Sequence, residues 1–304
     1  MRIGVDVPPL REDGTLLDAK ELMAKARMIE DAGLDGIWTG DASYYRGQYT
    51  EVDPLQWSVI AAAGTEHIEV GLTVLQVPLR EPVDLAQRLL TIHALANGRF
   101  TAGVGAGSTL RGAFEAVHVD YENRFKIFHS HMDKIRRLLN GEEVDEAVIP
   151  PFPGTEGGPR FVLGAWSSPV SLRRAVRDYD GWMSSSGLTN IKVMADGIKS
   201  YRDLGGTRAM TTTCRIDLSA PDEKLDEDGP FTLICGPQEA AERLNRLVEL
   251  GFDDVCLRFV DRNEAASHRR RNFTAEDLEQ IRSLLPKDPT SAVRPLTTAE
   301  ASAA

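Results

Sequence analysis

The sequence predicts an α/β protein built as a (β/α)8 TIM barrel with insertion loops. Two observations carry that prediction. Strand-like and helix-like runs alternate along nearly the whole chain, and eight such β–α units fit into about 285 residues, the count and length of a barrel. A doubly wound sheet of two Rossmann-like halves has similar, doubly buried strands, but the number of units favours the barrel.

The elements follow in order. "RIGVDV" (2–7) reads as the first strand, and in the next segment Leu22, Ala26 and Ile29 recur at helical spacing until Gly33 stops them. "DGIWTGD" (35–41) precedes a helix over about 54–64, and "IEVGLTVLQ" (68–76) precedes one that opens at Pro82, a residue suited to a first turn. "RFTAGVG" (99–105) leads, after a delay of more than ten residues, to the long helix around "YENRFKIFHSHMDKIRRLLNG". Pro, Gly and acidic residues then mark an insertion or lid loop near 142–160. Alternation resumes with "RFVLGAW" and "SPVSLRRAVRDY", then with "GWMSSSG" and "NIKVMADGIKSYRDLG". "AMTTTCRIDL" is followed by a second insertion near 219–230 and the helix "GPQEAAERLNRLVELG"; "FDDVCLRFV" and "TAEDLEQIRSLL" complete the eighth unit. One domain thus spans 1–285, and 286–304 has the composition of a disordered tail.

Composition narrows the function classes. Of 304 residues 42% are hydrophobic, which is ample for a core, and the net charge of -11 argues against nucleic acid or an anionic membrane surface as partner. No apolar run reaches the roughly 20 residues of a membrane helix, and the first strand begins at once, without a signal-peptide core. The expected location is cytoplasmic. Cys214, Cys235 and Cys256 lie far apart in apolar strand-like runs and read as free buried thiols; no metal site is expected.

The stretch "ANGRFTAGVGAGSTL" (96–110) places Gly103, Gly105 and Gly107 at alternate positions. A dinucleotide fingerprint needs G-x-G-x-x-G directly before a helix; here the third glycine comes one residue early and the helix comes late. The remaining readings are tight packing of the fourth strand, or room for a flat ligand at the strand's C-terminal end, where barrel sites lie. The planar ligand is the expectation, and bulk at Gly105 or Gly107 is expected to abolish its binding without unfolding the barrel.

The run "HIEVGLTVLQVPLREPVDLAQRLLTIHALANGRFTAGVGAGS" (67–108) resembles the bacterial luciferase-like monooxygenases, which use reduced FMN or the deazaflavin coenzyme F420. The resemblance extends through "MIEDAGLDGIWTGDAS", "SLRRAVRDYDGWMSSSG" and "PQEAAERL", over about residues 1–285. It implies a (β/α)8 barrel with the cofactor ring at the C-terminal mouth. It also implies a non-proline cis bond at Thr73–Val74 backing that ring, which nothing in local composition demands.

Further residues take roles in that light. Asp41 ends the second strand and is the candidate catalytic group, bonding the cofactor or positioning substrate; capping of the next turn suits it equally. Gly105, Ala106 and Gly107 are the candidate ring contacts on the fourth strand. Ala165, Trp166, Ser167 and Ser168 form one cluster before a helix, and Ser185, Ser186 and Gly187 another. Hydroxyls and free N–H groups there suit a phosphate, although Ser167 or Ser168 alone would serve as a cap. The aromatic loop "SYYRGQY" (43–49) is a candidate substrate contact, and "SHRRRN" (267–272) reads mainly as a solvated basic run. Three departures are notable. Ala42 stands where many members have histidine, Ser108 where F420-dependent sugar-phosphate dehydrogenases have glutamate, and Leu188 where some F420 users have lysine.

The expected function is a flavin-dependent oxidoreductase that oxygenates or reduces a small organic substrate. FMN is the first choice of cofactor, with F420 as the alternative. The expected partners are that substrate, a flavin reductase supplying reduced cofactor, and a second copy in a homodimer. The competing readings are a non-catalytic flavin-binding barrel, an F420-dependent hydride-transfer reductase, and a barrel lyase or hydrolase, for which no dyad or ligand set is found.

Overall fold

The structure, a computed structural model, describes residues 1–11, 13–42, 52–107, 111–261 and 270–285. The loop 43–49, Ser108, the start of the basic run and the tail from 286 lie outside the described residues. The elements, in chain order, are β1 (Arg2–Asp6), α1 (Ala19–Asp31), β2 (Gly36–Thr39), α2 (Pro54–Gly64), β3 (Glu69–Leu72), β4 (Leu75–Gln76), α3 (Pro82–Leu95) and β5 (Phe100–Gly105). They continue with α4 (Arg111–Ala116), α5 (Arg124–Leu139), β6 (Arg160–Gly164), α6 (Pro169–Asp178), β7 (Gly181–Ser185) and α7 (Ile191–Asp203). The last are β8 (Ala209–Asp217), β9 (Leu233–Ile234), α8 (Pro237–Leu250), β10 (Asp254–Phe259) and α9 (Ala275–Ser283). Strand order is β10-β1-β2-β3-β5-β6-β7-β8-β9, β4 pairs β5 beside β3, and β10 also pairs β8. That cyclic order is the predicted (β/α)8 barrel.

The chain divides into two compact units, one containing Met1–Trp38 and the described residues from 162 to 285, the other containing Thr39–Phe161. In the first, β1 lies parallel to β10 (Val5 opposite Leu257) and to β2 (Asp6 opposite Trp38), and β7 pairs β8 with Ser185 opposite Thr212. Helix α1 starts as the sequence predicts: Asp18 and Glu21 close a capping box, and Leu22, Ala26 and Ile29 face the core. Trp182 is a core residue, 1% exposed, donating its indole N–H to the Ala165 carbonyl and lying against Tyr201 and Phe252. The three cysteines are free and buried. Burial pushes the Cys214 thiol up to about 12 and the Cys235 thiol to about 11, and raises Cys256 as well. We therefore expect iodoacetamide at pH 8 to leave the native protein unlabelled and to label all three after denaturation. Rapid labelling of native protein would contradict this packing.

In the second unit β3 pairs β5 (Val70 opposite Phe100), and β4 takes over the pairing, with Gln76 opposite Gly105. The expected third strand is thus divided, and the division falls at Thr73–Val74, whose peptide bond is cis. Two expectations change here. Helix α4 begins at Arg111, four residues after Gly107, so the delay before the next helix is shorter than the sequence suggested; six residues are too few to give a periodic signal. The segment 142–159 joins the C-terminus of α5 to the N-terminus of β6, and Gly157 N–H donates to the Leu139 carbonyl at the helix end (3.2 Å). A helix-to-strand connection reaches the N-terminal ends of strands, away from the ends where barrel chemistry lies, so it is no lid.

Candidate functional site

In the first unit the site grows from the C-terminal ends of β6 and β7. The two following helices start with their own caps: the Ser168 hydroxyl accepts from Ser171 N–H (3.2 Å), and the Asn190 carbonyl oxygen of the side chain accepts from Val193 N–H (2.9 Å). Ser168, predicted as a phosphate donor, is thereby committed to α6. Ser186 is committed too: it is fully buried and its hydroxyl donates to the Thr212 carbonyl (3.1 Å). Gly187 faces β8 closely, since a Cβ there would lie 2.8 Å from the Thr213 carbonyl oxygen. Packing, rather than a ligand, accounts for the missing side chain at that position.

Ser185 differs from its neighbours. Its hydroxyl is buried and has no hydrogen-bond partner among the described residues. It borders a small cavity of about 20 Å³, room for one oxygen-sized group, whose wall includes Ala165, Trp166, Ser167, Thr189 and Met194. None of the described residues lining this cavity carries a charge. Ser167 reaches it because α7 has Gly197 opposite: a Cβ at Gly197 would lie 2.8 Å from the Ser167 Cβ. Neither Gly197 nor Thr189 was singled out in the sequence; a glycine inside a helical pattern was the available signal for the first.

The second unit holds the cis bond Thr73–Val74. Thr73 N–H donates to the Thr39 carbonyl (2.9 Å), while the Thr73 hydroxyl is buried with no hydrogen-bond partner among the described residues. Asp41 braces the strand that follows. Its side chain is 0% exposed, and one carboxylate oxygen accepts from Gln76 N–H (2.9 Å) and Arg80 Nη1 (2.6 Å), the other from Arg80 Nη2 (3.3 Å). Gln76 returns a bond from its amide to the Asp41 carbonyl (2.8 Å). These bonds make Asp41 a positioning residue acting through β4. Gln76 and Arg80 went unnoticed in the sequence because 35 and 39 residues separate them from Asp41.

Gly107 also has a structural task. Its φ is +96°, and a Cβ would lie 2.5 Å from the Phe114 ring and 3.1 Å from Gln76 Oε1. The space beside Gly107 is filled by Phe114, not kept for a planar ligand. Gly105 and Ala106 remain the positions of the fourth strand's end that the ligand reading can claim.

A family model of luciferase-like monooxygenases matches residues 1–287. The chain belongs to that family. This luciferase-like chain is 31% identical to the F420-dependent glucose-6-phosphate dehydrogenase of Beutenbergia cavernae, over 87% of its own length and 94% of the relative's. Among solved structures, monooxygenase RslO1 from Streptomyces bottropensis matches with a TM-score of 0.72 at 15% identity, over 93% of this chain and 97% of that one. The oxygenating constituent of 3,6-diketocamphane monooxygenase from Pseudomonas putida, in complex with FMN, matches with 0.67 at 15%, over 92% and 96%. The luciferase-like chain is thus a flavin- or deazaflavin-dependent oxidoreductase, and the reading as a mere flavin carrier is not favoured. No helix among the described residues is long and apolar enough to cross a membrane.

Proposed function

We propose that this chain is an F420-dependent oxidoreductase acting on a small organic substrate. The observation that carries the choice of cofactor is the uncharged cavity at Ser185. A terminal phosphate monoester such as that of FMN brings close to two negative charges, and desolvating them without a cation is costly. The phosphate of F420 is a diester with one charge, which neutral hydroxyl and N–H donors serve better. The 31% identical relative, named for its use of F420, supports the same choice. FMN, first on sequence grounds because of Leu188, becomes the second reading, and a flavin reductase partner belongs to that reading alone.

The residues fit such a group in a specific way. Ser185 and Ser167 would donate to the phosphate, with Ala165 and Trp166 flanking it; Ser168 and Ser186 hold the helix and strand that present them. In the other unit, Thr73 and Val74 keep the assignment to the ring that the resemblance implies, as do Gly105 and Ala106. When bound, the deazaflavin would supply a two-electron hydride donor or acceptor; the protein binds, orients and excludes water.

Titration of the purified protein with F420 and with FMN tests the choice: F420 is expected to bind more tightly, and tighter FMN binding would reverse it. Ser185→Ala should weaken F420 binding about tenfold, as for loss of one hydrogen bond to a charged group, with little change in Tm. Ser186→Ala should do the opposite, lowering Tm and sparing affinity. Equal affinities for parent and Ser185→Ala would remove the phosphate from this cradle.

A further inference from the structure

The second insertion leaves β8 after Asp217 and returns as β9, which runs parallel to the end of β8 with Leu233 opposite Ile216. It therefore stands at the C-terminal ends of the strands, the side where barrel chemistry lies. Its return is fastened to the wall of the Ser185 cavity. Phe231, 0% exposed, donates its N–H to the carbonyls of Ser186 and Thr189, each at 3.1 Å, and Thr189 lines that cavity. Both carbonyls belong to the short connection between β7 and α7 that begins next to Ser185. Lys192 Nζ adds an exposed bond to Asp228 (2.8 Å), a pair worth little by itself.

One side chain on α8 holds the insertion in turn. The face that α8 buries consists of Ala240, Arg243, Leu244 and Leu247, the spacing of a core stripe with arginine where an apolar residue would pack. Arg243 is 5% exposed. Its Nη1 donates to the Thr232 carbonyl (2.9 Å), its Nη2 to the Glu223 carbonyl, and its Nε to Glu239 one turn back (2.8 Å). The planar fork thus ties an early residue of the insertion to Thr232, the residue that follows Phe231. Lysine, with one ammonium on a flexible stem, could not hold both carbonyls so firmly.

A buried ion pair is weak evidence for stability, because a well-packed apolar residue in its place usually costs nothing. The arginine fixes a geometry instead. We propose that Arg243 is a positioning residue for the phosphate cradle: through Thr232 and Phe231 it sets where Thr189 and the backbone next to Ser185 stand. It touches no atom of the cofactor. This deepens the proposed function and rests on it for the nature of the ligand, whereas the mechanical link from α8 to the cradle is testable without any cofactor.

The test compares the parent with Arg243→Met, Arg243→Lys and Leu247→Ala by amide hydrogen exchange and by F420 titration, at a temperature where each is folded. Leu247, on the same buried face of α8, is the control for a general loss of stability. Because Arg243→Met takes its partner from Glu239, the Glu239→Gln/Arg243→Met pair is measured beside it and should behave alike. In both, exchange should quicken at Phe231 and across 186–190, and F420 affinity should fall roughly three- to thirtyfold. Arg243→Lys should lie between them and the parent. Leu247→Ala should lower Tm and keep the parent's affinity. Parental affinity in Arg243→Met, or an equal loss in Leu247→Ala, would overturn the proposal. Should the parent bind FMN in place of F420, only the choice of cofactor fails, and the same comparison with FMN decides here. Should it bind neither, exchange decides alone: quickening across 186–190 in Arg243→Met but not in Leu247→Ala supports the link, and unchanged exchange there overturns it.

Discussion

Asp41→Ala should destabilise the protein by about 3–5 kcal/mol and lower turnover further than that loss of stability explains. The carboxylate is wholly buried and holds Arg80 and the Gln76 backbone, so its removal takes the nearer carboxylate from a guanidinium group in a poorly solvated place, Asp53 lying at 3.9 Å. β4 follows directly on Val74, so the part of the fold that loses its brace is the part assigned to the cofactor ring. Asp41→Asn keeps the shape and should cost less. Removing both partners, as Asp41→Asn/Arg80→Gln, should cost less than the sum of the two single changes, because the bonds between them are lost only once. Chemical unfolding of the four proteins, with kcat and KM for each, would decide: additive losses would mean that the pair does not act as a unit. A change confined to KM would return Asp41 to the role of a direct contact.

Gly107→Ala should be the second severe change, at roughly 2–5 kcal/mol. The left-handed backbone accounts for about 1–2 kcal/mol of this and overpacking against Phe114 for about 1–3 kcal/mol. The sequence reading placed this effect in cofactor affinity alone. The structure places it first in stability, because Phe114 is 0% exposed and has no room to retreat. Phe114→Leu in the same chain should recover the overpacking share and leave the backbone share. A Gly107→Ala protein that melts as the parent does, yet fails to bind F420, would restore the original reading.

These cases mark what local sequence could and could not convey. Alternation of apolar runs was enough for the barrel and for β5, because buried parallel strands and amphipathic helices leave different periods. The cis bond came only through resemblance, since "GLTVLQ" reads as an ordinary strand. The serines of each cluster read alike in the sequence, whereas the fold gives them different hydrogen-bond partners. Which of Ser184, Ser185 and Ser186 finds a backbone acceptor depends on the register of β7 against β8, and that register is set by residues from another part of the chain. The Asp6–Arg258 pair, 252 residues apart, and the register shift between β8 and β10 leave no local trace at all.

The arrangement around Ser185 also bears on how such a protein changes over generations. At Ser168 and Ser186 a substitution touches a helix cap or a buried strand bond, and selection would meet it first as a loss of folded protein. At Ser185, one residue from Ser186, the hydroxyl has no hydrogen-bond partner among the described residues, so a new residue there alters the ligand while the fold persists. Neighbouring codons thus answer to different pressures. Exchange of one cofactor's phosphate for another's can then begin by drift at Ser185, without passing through an unfolded ancestor.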